Sequence, residues 1–130
     1  MSIQTDIVDA YMEGFRRSDK PGILALLTDE VAWDLPGFRH LTGKTEFEGE
    51  IVNPQFEQNP ILVVDRKLEA GDTVVCVGEG HGQFKTGGEF RFAFCDLFTF
   101  RDGLICRVES YIVPLSGPPI AQLAEEQFPP

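Results

Sequence analysis

The sequence predicts an α+β fold, three helical segments followed by a meander of long antiparallel strands. Two periodicities carry that expectation. Through Val52, apolar residues recur at three- and four-residue steps, the period of helices lying on a core. After Pro60 the period becomes two, and the segments are separated by short turns rich in glycine and aspartate. With helices first and strands last, the helices must cover one face of the sheet.

The elements follow in order. Ser2 or Thr5 can cap a first helix with Asp6 in its first turn. Ile7, Tyr11 and Phe15 then form an apolar stripe that points the Tyr11 hydroxyl inward. Asp19-Lys20-Pro21 restarts a second helix packed through Ile23, Leu24, Leu26 and Leu27. Val31 to Leu35 reads as a short strand closed by Pro36-Gly37. Leu41 to Thr45 reads as a turn into a third helix buried through Phe47 and Ile51. Asn53 to Pro60 is loop, anchored by Phe56. Four strands follow over 61–69, 73–84, 89–100 and 104–115. The domain is 1–130, with 116–130 as a C-terminal tail.

The third long strand, Glu89 to Phe100, is the most informative stretch. Alternation places Phe90, Phe92, Phe94, Asp96, Phe98 and Phe100 on one face. A carboxyl within a wall of phenyl rings either finds hydrogen-bond partners or is driven toward its neutral form. Asp96 is therefore the first functional candidate, against the plainer alternative of a satisfied core aspartate.

Hairpin register decides what shares that wall. An even loop after Phe84, the commoner kind, puts Val75, Val77, Glu79, His81 and Gln83 there; a three-residue loop puts Gly78, Gly80 and Gly82 there instead. The even loop is the expectation, and it makes His81 and Glu79 cavity residues. The last strand is open in the same way. A two-residue Asp102-Gly103 turn brings Arg107, Glu109 and Tyr111 to the wall. A three-residue loop with a glycine bulge brings Cys106, Val108 and Ser110, which the apolar content favours.

Composition excludes several classes. A net charge of −10 argues against nucleic acid and against anionic membrane surfaces. No apolar run reaches membrane-spanning length. The N-terminal residues carry no signal-peptide pattern, so a cytoplasmic location is expected. Cys76, Cys95 and Cys106 lack metal-ligand spacing and read as reduced core residues. The glycines around Glu79 and His81 lack the GxGxxG spacing and open a hairpin, which rules out a nucleotide loop. No cofactor or metal is expected.

The run Leu26-Leu27-Thr28-Asp29-Glu30-Val31-Ala32-Trp33-Asp34-Leu35-Pro36-Gly37, with Asp96-Leu97-Phe98-Thr99-Phe100-Arg101-Asp102-Gly103-Leu104-Ile105, resembles the NTF2-like superfamily. Within it the chain is similar to the SnoaL-like polyketide cyclase and ketosteroid isomerase branch, over about residues 5 to 115. The resemblance implies a cone of three N-terminal helices on a curved, mostly antiparallel sheet. It also implies an oxyanion hole from Tyr11 on the first helix and a protonated Asp96 on the late strand. Aligning Pro36 puts Leu35 at the base position of the isomerases. Asp34 stands one residue early and would need a bulge to face inward.

The function expected is cofactor-free acid–base catalysis of isomerase, cyclase or dehydratase type on a small apolar carbonyl or polyketide- or steroid-like compound. Asp96, Tyr11, Asp34 and His81 are the catalytic candidates. Trp33, Phe56, Phe92, Phe94, Phe98 and Glu79 are the candidates for holding the substrate. The alternative is a non-catalytic module that binds a small hydrophobic ligand or serves dimerisation. In either case the apolar middle of the outer sheet face (Ala93, Cys95, Leu97) suggests a homodimer.

Overall fold

The computed structural model describes residues 2–54 and 56–116. The expected tail lies, from residue 117 on, outside the described residues. Helix α1 (Ile3–Arg17) begins at a capping box, in which the Ser2 hydroxyl accepts from the Thr5 amide and Thr5 Oγ1 accepts from the Ser2 amide. Its inner face buries Val8, Tyr11 and Met12. Helix α2 (Lys20–Leu24) starts at Asp19, whose Oδ1 accepts from the Gly22 amide at 3.1 Å. Helix α3 (Gly43–Ile51) buries Phe47 and Ile51.

Among the described residues, six strands form one open, curved sheet in the order β2-β1-β6-β5-β4-β3. They are β1 (Leu27–Leu35), β2 (Arg39–Thr42), β3 (Ile61–Ala70), β4 (Thr73–Gln83), β5 (Glu89–Arg101) and β6 (Leu104–Ser116). Among the described residues, only β1 and β6 run parallel. Register shifts in the β1–β6, β3–β4 and β5–β6 ladders provide the bulges that bend the sheet around the helices. This is the NTF2-like fold, a mixed α+β cone. Two local expectations change. Strand β1 starts four residues early, at Leu27, and residues 39–42, read in part as a turn, pair with β1 as β2.

The β4–β5 hairpin corrects the expected register. The Phe84 amide donates to Gly88 O at 3.1 Å, which leaves Lys85-Thr86-Gly87 as a three-residue loop. Gly78, Gly80 and Gly82 consequently pair with Phe94, Phe92 and Phe90. Ring volume explains the choice. A Cβ on Gly80 would stand 2.3 Å from Phe92 Cζ, and one on Gly82 would stand 2.9 Å from Phe90 Cζ. The phenyl rings thus lie over bare glycine backbone, which an even loop would have replaced with valine, glutamate and histidine. Val75, Val77, Glu79, His81 and Gln83 take the outer face.

The β5–β6 turn combines the two alternatives. Asp102 and Gly103, at φ +54° and +82°, make a two-residue turn of the left-handed kind. A shift after Phe100↔Ile105 then leaves Cys106 without a directly opposed residue. Val108, Ser110 and Ile112 arrive opposite Phe98, Asp96 and Phe94 on the inner face. Arg107, Glu109 and Tyr111 are turned outward.

Candidate functional site

Between the helices and the inner face of the sheet lies a cavity of about 180 Å³. Helix α1 contributes Tyr11, Met12 and Phe15, and β1 contributes Trp33 and Leu35. The loop before β3 adds Phe56, β5 adds Phe92, Phe94 and Asp96, and β6 adds Ser110 and Ile112. Asn59 ties the end of α1 to the end of α3, its Nδ2 donating to Phe15 O at 2.7 Å and Ile51 O at 2.9 Å. The two helix ends at the cavity are thereby held together.

Asp96 is partly exposed, and its exposed surface is on the cavity. Burial raises its pKa to about 7, while a hydrogen bond with Ser110 pulls the other way. Ser110 is itself fixed: its Oγ accepts from Trp33 Nε1 at 2.9 Å. The hydroxyl's single hydrogen is then free to point at Asp96. Trp33 is held in turn by stacking on Phe47, with ring centroids 4.5 Å apart.

Tyr11 is buried, and its ring meets Phe98 edge-on at 4.9 Å and Phe15 at 5.0 Å. Burial, reinforced by the Asp96 carboxyl, raises its pKa well above that of an ordinary phenol. Tyr11 therefore remains a neutral hydroxyl, able to donate a hydrogen bond toward the cavity.

The structure thus brings Asp96, Tyr11, Trp33, Phe56, Phe92 and Phe94 together around one space. Phe98 is fully buried beneath Tyr11 and does not line it. Three candidates lie elsewhere. Asp34 pairs with Glu109 across the parallel ladder and points to the outer face. There its carboxylate accepts from Arg107 Nε at 2.9 Å and from His40. The His40 hydrogen bond, then Arg107, holds the Asp34 carboxyl below the usual carboxylate range. No bulge separates Asp34 from Pro36, since the β1 shift falls earlier, between Leu27 and Ala32. His81 and Glu79 are exposed on the outer face, where Glu79 accepts from Arg91 at 2.9 Å. Asp34→Asn is expected to leave ligand binding in the cavity unchanged and to shift thermal stability by no more than about 1 kcal/mol, as solvent-facing ion pairs do.

Two residues central to the chemistry of the cavity were not among the site candidates. The apolar content of the last strand favours the register that brings Ser110 to the wall, as found, but gives it no role. Glu50 had a signal: it stands three residues after Phe47 and one before Ile51, on the buried side of α3. It is half-buried, lines the cavity, and meets Arg39 Nη1 at 3.3 Å.

A SnoaL-like domain model matches residues 8–108. This chain belongs to the SnoaL-like domain family. No curated protein matches it. Among solved structures, this SnoaL-like chain superposes on an NTF2-like protein of unknown function from Burkholderia pseudomallei at TM-score 0.80, with 22% identity over 100% of both chains. A candidate polyketide cyclase from Xanthomonas campestris gives TM-score 0.73 at 28% identity, over 84% of this chain and 89% of that one. A Catenulispora acidiphila protein with a ketosteroid isomerase-like fold, in complex with trimethylamine, gives 0.73 at 18% identity over 81% and 83%. The first and third, at such low identity, speak to the fold. No helix among the described residues is long and apolar enough to cross a membrane.

Proposed function

We propose that this SnoaL-like domain is an acid–base enzyme acting without a cofactor on a small carbonyl compound held in the aromatic cavity. The observation that carries the reading is the Trp33–Ser110–Asp96 chain, which presents a protonatable carboxyl to an apolar space beside the Tyr11 hydroxyl. A protonated Asp96 and Tyr11 would both donate hydrogen bonds to a carbonyl oxygen. Those bonds strengthen as the oxygen gains charge on enolisation, so they favour the transition state over the bound substrate.

The cavity bounds the substrate. An apolar hollow of about 150 Å³ takes up benzene, whereas drug-sized ligands need about 300–1,000 Å³. At about 180 Å³ the site suits a single-ring compound better than a fused four-ring one.

4-Nitrophenol, whose oxygen resembles an enolate, is the first probe. The wild-type chain is expected to bind it, and Tyr11→Phe is expected to weaken that binding and to slow turnover of 3-cyclohexen-1-one by about 100-fold. Phenol binding without any turnover would favour a ligand-binding module. Failure to bind either compound would remove the reading.

The same domain is proposed to work as a cytoplasmic homodimer. Tyr111 and Val113 on the outer face are 46% and 59% exposed. They pair with Cys95 and Ala93 and extend the half-buried Val75, Val77 and Leu97 into one apolar band. Sedimentation is expected to give twice the 14.5 kDa chain mass, and Val113→Lys to return it to the monomer. The three cysteines are free, as a reducing compartment requires.

A further inference from the structure

We propose that Glu50 is the general base of this site, taking a proton from the carbon beside the substrate carbonyl and returning it elsewhere on the same molecule, with Arg39 as its positioning residue. The inference rests on the acid–base reading above and adds the group that reading lacks. A hydrogen-bond donor pair of Asp96 and Tyr11 polarises a carbonyl but removes no proton from carbon. Leu35, at the position where the isomerase resemblance would set a base, lines the cavity with an alkyl chain that has no acid–base capacity. Asp34 is on the far side of the sheet, bound to Arg107 and His40.

Among the described residues lining the cavity, Glu50 is the one carboxyl besides Asp96. Its location is a consequence of helical geometry. Phe47 and Ile51 fix the buried side of α3, and Glu50 projects from the same side. Its side chain is 21% exposed and that of Arg39 is 28% exposed, with Oε1 and Nη1 3.3 Å apart. The guanidinium therefore fixes the carboxylate at the cavity without burying it completely. Burial raises the Glu50 pKa from the usual value and Arg39 lowers it. A carboxylate left partly desolvated in this way is a stronger base than one in water.

The two carboxyls would then play opposite parts: Asp96 presents a hydrogen and Glu50 presents a lone pair. In the step itself, a Glu50 oxygen takes the proton and the C–H electron pair forms a carbon–carbon π bond. The carbonyl π pair moves onto oxygen, where the Asp96 and Tyr11 hydrogens meet the developing charge. Protonated Glu50 returns the proton at the far carbon of the conjugated system as the carbonyl re-forms. Nothing is consumed, so no co-reactant is needed.

The test uses the full chain, 3-cyclohexen-1-one as substrate and 4-nitrophenol as the probe of the hydrogen-bonding side. Appearance of the conjugated enone is followed by absorbance, and deuterium uptake from heavy water by NMR. Glu50→Gln is expected to slow both readouts by about 100-fold while phenol affinity stays at the wild-type value. Glu50→Asp keeps the charge but draws it back by one methylene, and should fall between. Arg39→Met is expected to lower kcat with KM unchanged and phenol affinity intact, which a merely structural role would not produce. Wild-type turnover in Glu50→Gln, with Asp96→Asn still slow, would overturn the assignment of the base and leave the proposed function standing. Absence of both phenol binding and turnover in the wild type would overturn both. Should Glu50→Gln fail to fold, a Glu50→Asp variant with the wild-type rate would likewise overturn the assignment.

Discussion

Asp96→Asn is expected to make the protein more stable at and above neutral pH while abolishing turnover. Asp96 has a folded-state pKa of about 7, raised by burial from 3.8. The folded protein therefore keeps this proton where the unfolded chain has lost it. The stability contributed by the neutral acid is fully present below about pH 4 and falls as pH rises toward 7, where ionisation completes the loss. At about 1.4 kcal/mol per pKa unit, the loss amounts to as much as about 4 kcal/mol. Asparagine cannot ionise, so it escapes that loss while keeping a polar partner for Ser110. Urea unfolding at pH 5 and pH 8 should show wild-type stability falling between the two and the variant changing less. A wild type equally stable at both pH values, or more stable at pH 8, would contradict a desolvated carboxyl. A stabilised variant without turnover is the usual sign of a residue kept for function against its folding cost.

Gly78→Ala is expected to destabilise the fold by about 3 kcal/mol or more, at the upper end of overpacking effects. An added Cβ would stand 2.0 Å from the Val63 carbonyl oxygen and 2.9 Å from Phe94 Cζ. The first contact is with backbone, next to the β3–β4 register shift, and cannot be relieved by rotating a side chain. Gly80→Ala meets the Phe92 ring first, at 2.3 Å. Phe92 can turn away, so the main damage should be to the cavity and to ligand affinity. Gly49→Ala is the control. Nothing lies within 4 Å of a Cβ there, and replacing a helical glycine should add up to about 1 kcal/mol. All three are read as a shift in urea midpoint at constant slope. A Gly78→Ala variant as stable as wild type would mean that β3 and β4 lie farther apart than described.

The division between Asp96 and Asp34 shows what kind of information the chain carries. Asp96 was legible because its evidence is local: phenylalanines at alternate positions define a face, and the carboxyl falls on it whatever pairs alongside. Tyr11 was legible for the same reason, from helical spacing. His81 was placed by a hairpin register that crosses from one strand to another, and Asp34 by the resemblance together with a bulge that β1 does not have before Pro36. A shift of a single residue there reverses every side chain.

The run of helices before the long strands, the caps of α1 and α2 and the phenyl face with its one acid are determined by the sequence alone, because each depends on spacing within a continuous segment; β2 shows itself only by its pairing with β1. The membership of the cavity was decided by tertiary structure. Three glycines had to lie beneath three phenyl rings, and that steric match set the β4–β5 register. A bulge at Cys106 set the β6 register and delivered Ser110 to Asp96, while the pairing of β1 with β6 turned Asp34 outward. Which carboxyl meets the hollow and which meets solvent is settled by packing between strands distant in sequence, where volume outweighs the commonest turn length.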